Sequence, residues 1–184
     1  ESNYTLNNNA HIDIKSDLIV ADYNQNIIIV NNNLIGSHNK VNILLTYYAC
    51  LSLGLAGDQI SKALSKFTGV EGRLEYMGNI LDSRVSVYND NNATNPDAVI
   101  AALKAVYEHW SLKPVLIAGG TDKGLDLEEL ASIIISHAAK VVLIAGTGTD
   151  KLMPLIHNKV DYAVYDTILE CVDAAVKFSD GMSS

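Results

Sequence analysis

Four short segments hold most of the side chains whose types and spacing suit chemistry. In "LIGSHNKVN", Asn39 and Asn42 stand three apart in what reads as the first turn of a helix, so they share a face. Carboxamides donate and accept together, which suits the edge of a purine base; alternatively these two only satisfy polar groups at the helix end. In "GVEGRLE", Arg73 can fork onto phosphate oxygens or pair on the surface with Glu71 or Glu75. In "VYNDNNATNPDAVIAAL" a strand ends near Tyr88, and a helix begins with Asn95 as its cap, Pro96 at its first position and Asp97 in its first turn. The polar loop between them lies at the carboxyl end of a strand and just before a helix N-terminus, where open α/β sheets bind ligands. There Asp90 suits a ribose hydroxyl or a metal-nucleotide and Thr94 suits a carboxylate; the same loop also reads as plain turn chemistry. In "LIAGGTDKG" a strand runs into a Gly-rich turn whose Lys123 is either a ligand cation or a solvated turn residue.

Other chemistry is set aside on spacing. No segment has the G-x-x-x-x-G-K-[ST] spacing of a phosphate-cradling loop, and "IAGTGTD" reads as a structural turn. The five His show no metal-ligand spacing, and His137 and His157 read as structural. Cys50 and Cys171 sit in apolar periodic stretches and read as buried free thiols in a reducing cytosol.

These residues need a scaffold to position them. Of 184 residues, 48% are apolar and 18% charged, enough to bury a core. The net charge of -8, with no cluster of Lys and Arg, argues against a nucleic-acid partner. No apolar run reaches the roughly 20 residues that span a bilayer, so membrane insertion is not expected. The absence of Met at position 1 and the stop at Ser184 read as cuts in a longer polypeptide.

Two β-type runs, Leu18 to Ala21 and Ile27 to Val30, flank a turn at Asn24 to Asn26. A helix capped by Ser37 follows, with Gly54 past its end, and then a shorter helix from Asp58 to Phe67. Beyond Gly69 the texture becomes α/β. "RLEYMG" and "RVSVYN" read as paired strands, and the rest alternates: helix 96–109, strand 115–118, helix 127–138, strand 141–145, a short helix, a strand near 162–164 and helix 166–178. That alternation predicts an α/β fold with a doubly wound, mostly parallel, Rossmann-like sheet in residues 70–184, and a boundary near Val70.

In this order and separation, the four segments resemble the Mur ligase family, specifically from Leu34 to Gly124 and by fold pattern onward to the end. "LIGSHNKVN" is similar to the family's L-x-G-x-H-N-x-x-N segment, and "GRLE" to the arginine motif that opens the carboxy-terminal domain. "NDNNATNPDA" and "GGTDKG" resemble N-D-S-K-A-T-N-P-x-A and G-G-x-D-K-G of the D-glutamate-adding member. The resemblance implies that residues 1–69 are the tail of the central ATP-binding domain, and that residues 70–184 are the carboxy-terminal domain, truncated at its end. It implies ATP contacts from Asn39, Asn42, Arg73 and Asp90, and D-glutamate contacts from Thr94 and Lys123. It further implies cytoplasmic peptidoglycan synthesis, in which the carboxylate of UDP-N-acetylmuramoyl-L-alanine becomes an acyl phosphate that the amine of D-glutamate attacks. Mg²⁺ would be the main cation, and none of the catalytic residues would lie in this part of the chain. One departure stands out: Asn91 and Asn92 replace the pattern's Ser-Lys. Two alternatives stay open, namely another ligase of the superfamily (a folate-directed one included) and a non-catalytic α/β binding module, which Asn92 favours.

Overall fold

In a computed structural model, residues 2–5, 10–15, 18–23, 26–31, 33–82 and 84–181 are described, the first four runs as backbone only. The chain divides into two compact units, Glu1–Val70 and Glu71–Ser184.

The first unit begins with four strands, β1 (Ser2–Thr5), β2 (Ala10–Lys15), β3 (Leu18–Tyr23) and β4 (Asn26–Asn31), in an antiparallel sheet of order β1-β2-β3-β4. The expected pair is β3 and β4, in register from Leu18 against Asn31 to Tyr23 against Asn26. Asn26 is therefore the first residue of a strand, and the rest of the expected turn, Asn24 and Gln25, lies outside the described residues.

Helix α1 (Ser37–Ser52) is capped by Gly36, not by Ser37 as expected. The cap position has φ 92°, where a Cβ is unfavourable, so the glycine takes the turn and Ser37 enters the helix. At the other end Gly54 (φ +85°) donates to the Leu51 carbonyl and Leu55 to that of Cys50, the two-bond pattern that closes a helix on a left-handed glycine. Helix α2 (Gly57–Leu64) follows, three residues shorter at its end than expected. Ile43, Leu44 and Tyr47 of α1 bury against Ile60 of α2.

The second unit opens with an antiparallel ribbon, β5 (Glu75–Ile80) and β6 (Val85–Asn89), whose register shifts between Tyr76 and Gly78. Then come α3 (Pro96–Trp110), β7 (Val115–Gly119), α4 (Glu128–His137), β8 (Lys140–Ile144), α5 (Thr147–Ile156), β9 (Tyr162–Tyr165) and α6 (Ile168–Gly181). Strands β7, β8 and β9 form a parallel sheet in that order.

Central β8 is apolar from Val141 to Ile144, after Lys140 at its start, as a strand covered on both faces requires. Val141 and Leu143 pack with Leu103 of α3, Ile134 of α4 and Ile156 of α5. Val142, pointing the other way by the two-residue period, packs with Cys171 and Ala174 of α6. Helices thus cover both faces. The carboxyl end of β7 leads into the Gly-rich turn that holds Lys123, and that of β8 into Gly146 and the start of α5.

Candidate functional site

The "GRLE" turn and the loop after β6 form one assembly. Gly72 is buried with φ +67°, and a Cβ placed on it would collide with Asn91 Oδ1 and lie 2.7 Å from Asn92 Nδ2. A side chain there would have to displace both Asn amides and strain the backbone. Asn92 fastens the turn twice, donating its backbone N–H to the Gly72 carbonyl (3.0 Å) and its side-chain amide to the Glu71 carbonyl (3.0 Å). Two residues before Asn92, Asp90 Oδ1 accepts the N–H of Leu74 at 2.8 Å. Leu74 itself has φ 46°, and Glu71, Gly72 and Leu74, on either side of Arg73, are all held from the loop.

Arg73 projects from this turn, exposed. The expected surface pairing with Glu71 or Glu75 does not form. Glu75 Oε2 instead accepts the Gly72 N–H at 2.9 Å and the Asn89 amide at 3.3 Å. Among the described residues the Arg73 guanidinium is left with no acidic partner, a cation presented to solvent.

Asn95 caps α3 as expected, its Oδ1 accepting from Ala98 N at 2.9 Å, with Pro96 at the first helical position. The cap fixes where the loop ends and so where Thr94 stands. The Thr94 carbonyl accepts from Lys123 Nζ at 3.0 Å, across 29 residues of sequence. Lys123 is thus neither a free turn lysine nor paired with an acid. Both residues are exposed, and the Thr94 hydroxyl is unengaged among the described residues.

The turn that carries Lys123 rests on the next one. Gly119 and Gly120 have φ 144° and 129°, and Gly120 O accepts the N–H of Gly148 at 2.8 Å. A Cβ on Gly146 would meet that same oxygen at 2.6 Å; of "IAGTGTD", expected as a structural turn, only Ala145 and Gly146 turn the chain, and Thr147 to Asp150 open α5. The Thr147 hydroxyl accepts from Asp122 N at 2.9 Å. Asp122 Oδ1 takes the Gly124 N–H at 2.9 Å and faces Lys151 Nζ at 3.4 Å, and Lys151 also donates to Leu125 O at 2.6 Å.

Asn39 and Asn42 lie in the first turns of α1, in the other unit. The Asn39 amide donates to Ile35 O at 2.9 Å, so it does serve a helix-end carbonyl; Asn42 is exposed. His137 stacks edge-on with Tyr107, and His157 meets Tyr162 Oη at 3.2 Å. Both cysteines are free thiols; Cys171 is buried, which pushes its thiol upward, and Cys50 is half-buried. Among the described residues no helix is long and apolar enough to cross a membrane, and no cluster of three or more His, Cys, Asp or Glu is disposed to hold a metal. An open polar groove of about 840 Å³, lined by Lys113, His157 and Tyr162 among others, includes none of the candidate residues.

A family model described as "Mur ligase, glutamate ligase domain" matches residues 72–181. The chain belongs to the Mur ligase family. Among curated Mur ligases, the UDP-N-acetylmuramoylalanine--D-glutamate ligase of Roseiflexus sp. (strain RS-1) is 43% identical over 129 residues, 68% of this chain and 26% of that protein. The ligase of the same name from Chlorobium phaeobacteroides is 36% identical over 158 residues, 81% of this chain and 32% of that protein. The chain therefore spans about a quarter to a third of the relatives it matches. The fold is shared with the folylpolyglutamate synthase of Mycobacterium tuberculosis in its complex with ADP, at TM-score 0.73 and 16% identity over 95% of this chain and 40% of that one. It is shared too with MurF from Acinetobacter baumannii, at TM-score 0.71 and 18% identity over 93% of this chain and 38% of that one.

Within this Mur ligase chain, four residues that hold the candidate side chains in place escaped the sequence reading: Gly72, Asn92 as a latch, Thr147 and Lys151. Gly72 and Asn92 sit inside motifs that were singled out, yet their pairing spans the whole β5–β6 ribbon. The Gly-Thr-Gly-Thr turn marked the position of Thr147, but spacing alone says nothing of its partner.

Proposed function

We propose that this chain is the carboxy-terminal part of a cytoplasmic ATP-dependent ligase that joins D-glutamate to UDP-N-acetylmuramoyl-L-alanine. The observation that carries the reading is the Lys123–Thr94 hydrogen bond. It unites the two residues that the motif resemblance assigns to D-glutamate, from two loops far apart in sequence. An exposed ammonium beside an unengaged hydroxyl suits a small carboxylate: the cation supplies charge, and the hydroxyl a directional neutral bond.

The nucleotide side rests on Arg73 and Asp90. Arg73 is a cation without an acidic partner, able to fork onto phosphate oxygens. Asp90 spends one carboxylate oxygen on Leu74 N, and its second oxygen is available to accept from a ribose hydroxyl. Asn42, exposed on α1, and the remaining acceptor of Asn39 fit the edge of a base. In this reading residues 1–69 are the tail of the central ATP-binding domain, and residues 70–184 belong to the carboxy-terminal domain. The described residues fit a nucleotide but offer no metal cluster, so Mg²⁺ would be held by groups outside them and by the phosphates. ATP supplies the phosphoryl group that turns the precursor carboxylate into an acyl phosphate. This chain's part is to hold the incoming amino acid and neutralise phosphate charge, which is how positioning and preorganised charge lower such a barrier.

Asn92, whose lost cation favoured a non-catalytic module, instead holds the Arg73 turn, which suits a working site. The deciding experiment is phosphate release by the full-length protein with UDP-N-acetylmuramoyl-L-alanine, ATP and Mg²⁺, with D-glutamate added or withheld. Turnover that requires D-glutamate is expected; turnover supported equally by L-glutamate or another amino acid would overturn the assignment.

A further inference from the structure

The Lys123 turn carries an acid beside its cation. Asp122 precedes Lys123 in a tight glycine-bounded loop, and in such a loop the natural partner of an exposed ammonium is the adjacent carboxylate. That pairing would occupy the charge needed for an anionic ligand. It does not occur here. Lys123 reaches the neutral carbonyl of Thr94, and Asp122 Oδ1 faces a different cation, Lys151, from the second turn of α5. Thr147 and Gly124 fix the Asp122 backbone and carboxylate from two more directions, and Lys151 is itself anchored on Leu125 O at 2.6 Å.

We infer that Lys151 is a positioning residue that occupies Asp122 and thereby keeps the Lys123 ammonium available to the carboxylate of the incoming amino acid. The inference rests on the proposed assignment of Lys123 to D-glutamate. It adds a residue that no motif marks, together with a division of labour: one lysine neutralises the loop's own acid, and the other serves the ligand. The Lys151 and Asp122 side chains are 39% and 35% exposed, so water screens the pair. Its value lies in choosing partners more than in stability.

The test is a double-mutant cycle in the full-length protein, with the KM for D-glutamate as readout. Lys151→Met should raise that KM roughly 5-fold, the upper end for an exposed ion pair, with kcat and the KM for ATP nearly unchanged. Asp122→Asn keeps the oxygen that accepts from Gly124 N but removes the charge. Combined with Lys151→Met, it should bring the KM for D-glutamate back to within about 2-fold of the parent. A loop that had merely lost a brace would not be rescued by removing the acid. An unchanged KM in Lys151→Met, or a raised KM that Asp122→Asn fails to restore, overturns the inference. If the parent protein shows no D-glutamate-dependent turnover, it is the proposed function that fails. The pairing claim is then read by NMR on this chain, where Lys151→Met should bring a Lys123 Hε to Asp122 Hβ contact absent from the parent. Its non-appearance also overturns the inference.

Discussion

In the proposed reading, Lys123 and Gly72 would serve the two sides of the candidate site in different ways, one through charge and the other through the lack of a side chain. A hydrogen bond to a charged group contributes about 1.5–3 kcal/mol, so Lys123→Ala in the complete ligase should raise the KM for D-glutamate roughly 10- to 150-fold, with the KM for ATP changing far less. Steady-state kinetics varying each substrate separately decides it, and an unchanged KM for D-glutamate would end the assignment. At Gly72 the added methyl of Gly72→Ala meets the Asn91 and Asn92 side chains in a backbone conformation that disfavours a Cβ. Overpacking of this kind costs about 1–3 kcal/mol, so a lower urea midpoint with an unchanged m-value is expected. The KM for ATP should rise as well, because the turn carries Arg73. These contacts also mark the limit of reading residues in order. Asn95, Pro96 and Asp97 were legible as a helix start because capping is local. The Asn92 latch was not: its partner, Glu71, lies 21 positions away, and only the folding back of β5 on β6 brings them together.

At the scale of elements, the α/β alternation was legible because Val141 to Ile144 of β8 are all apolar and the flanking helices keep a helical period. Strands β1 and β2 were missed, since "SNYT" and "AHIDIK" are short and set among asparagines that read as turns. The α1 cap was misassigned because a serine before an apolar run is the commoner signal, whereas here the preceding glycine takes the positive φ. Where the local signal and the fold agree, the element's contribution can be stated. Asn95→Ala removes the bond to Ala98 N, and losing such a cap costs about 1 kcal/mol, so Tm should drop by about 2–4 °C. The far end of the same helix is tied to β6 by Trp110 Nε1 donating to Tyr88 Oη at 3.2 Å. Burial raises the Tyr88 pKa above its ordinary 10.0, while the Trp110 bond, which favours the phenolate, offsets part of that rise. A raised folded-state value means the unfolded chain loses this proton first. The contribution of Tyr88 is therefore intact below pH 10.0 and is lost as pH climbs through the folded value. Trp110→Phe should move the Tyr88 titration still higher, as followed by the ¹³Cζ resonance; a downward shift would contradict the geometry.

For the molecule as a whole, the question is how much of the proposed reaction 184 residues could perform. In the proposed reading, what the second unit offers a nucleotide is an edge: one guanidinium at Arg73 and one carboxylate at Asp90. Phosphoryl transfer needs more than an edge. The charge that develops on the transferring group must be met by several preorganised donors and a metal held in place. No segment of this chain has the glycine-rich spacing that wraps a triphosphate in backbone N–H groups. The net charge of -8 adds no general attraction for an anion, so affinity must come from those few local contacts. The purified chain is therefore expected to bind ATP weakly and to turn none over, with or without D-glutamate. Arg73→Ala should weaken even that residual binding in a calorimetric or fluorescence titration, while leaving the far-ultraviolet circular dichroism of the fold intact. Phosphate release above background by the purified chain, abolished by Arg73→Ala and so not owed to a contaminant, would place phosphoryl chemistry within these residues and overturn this division of labour.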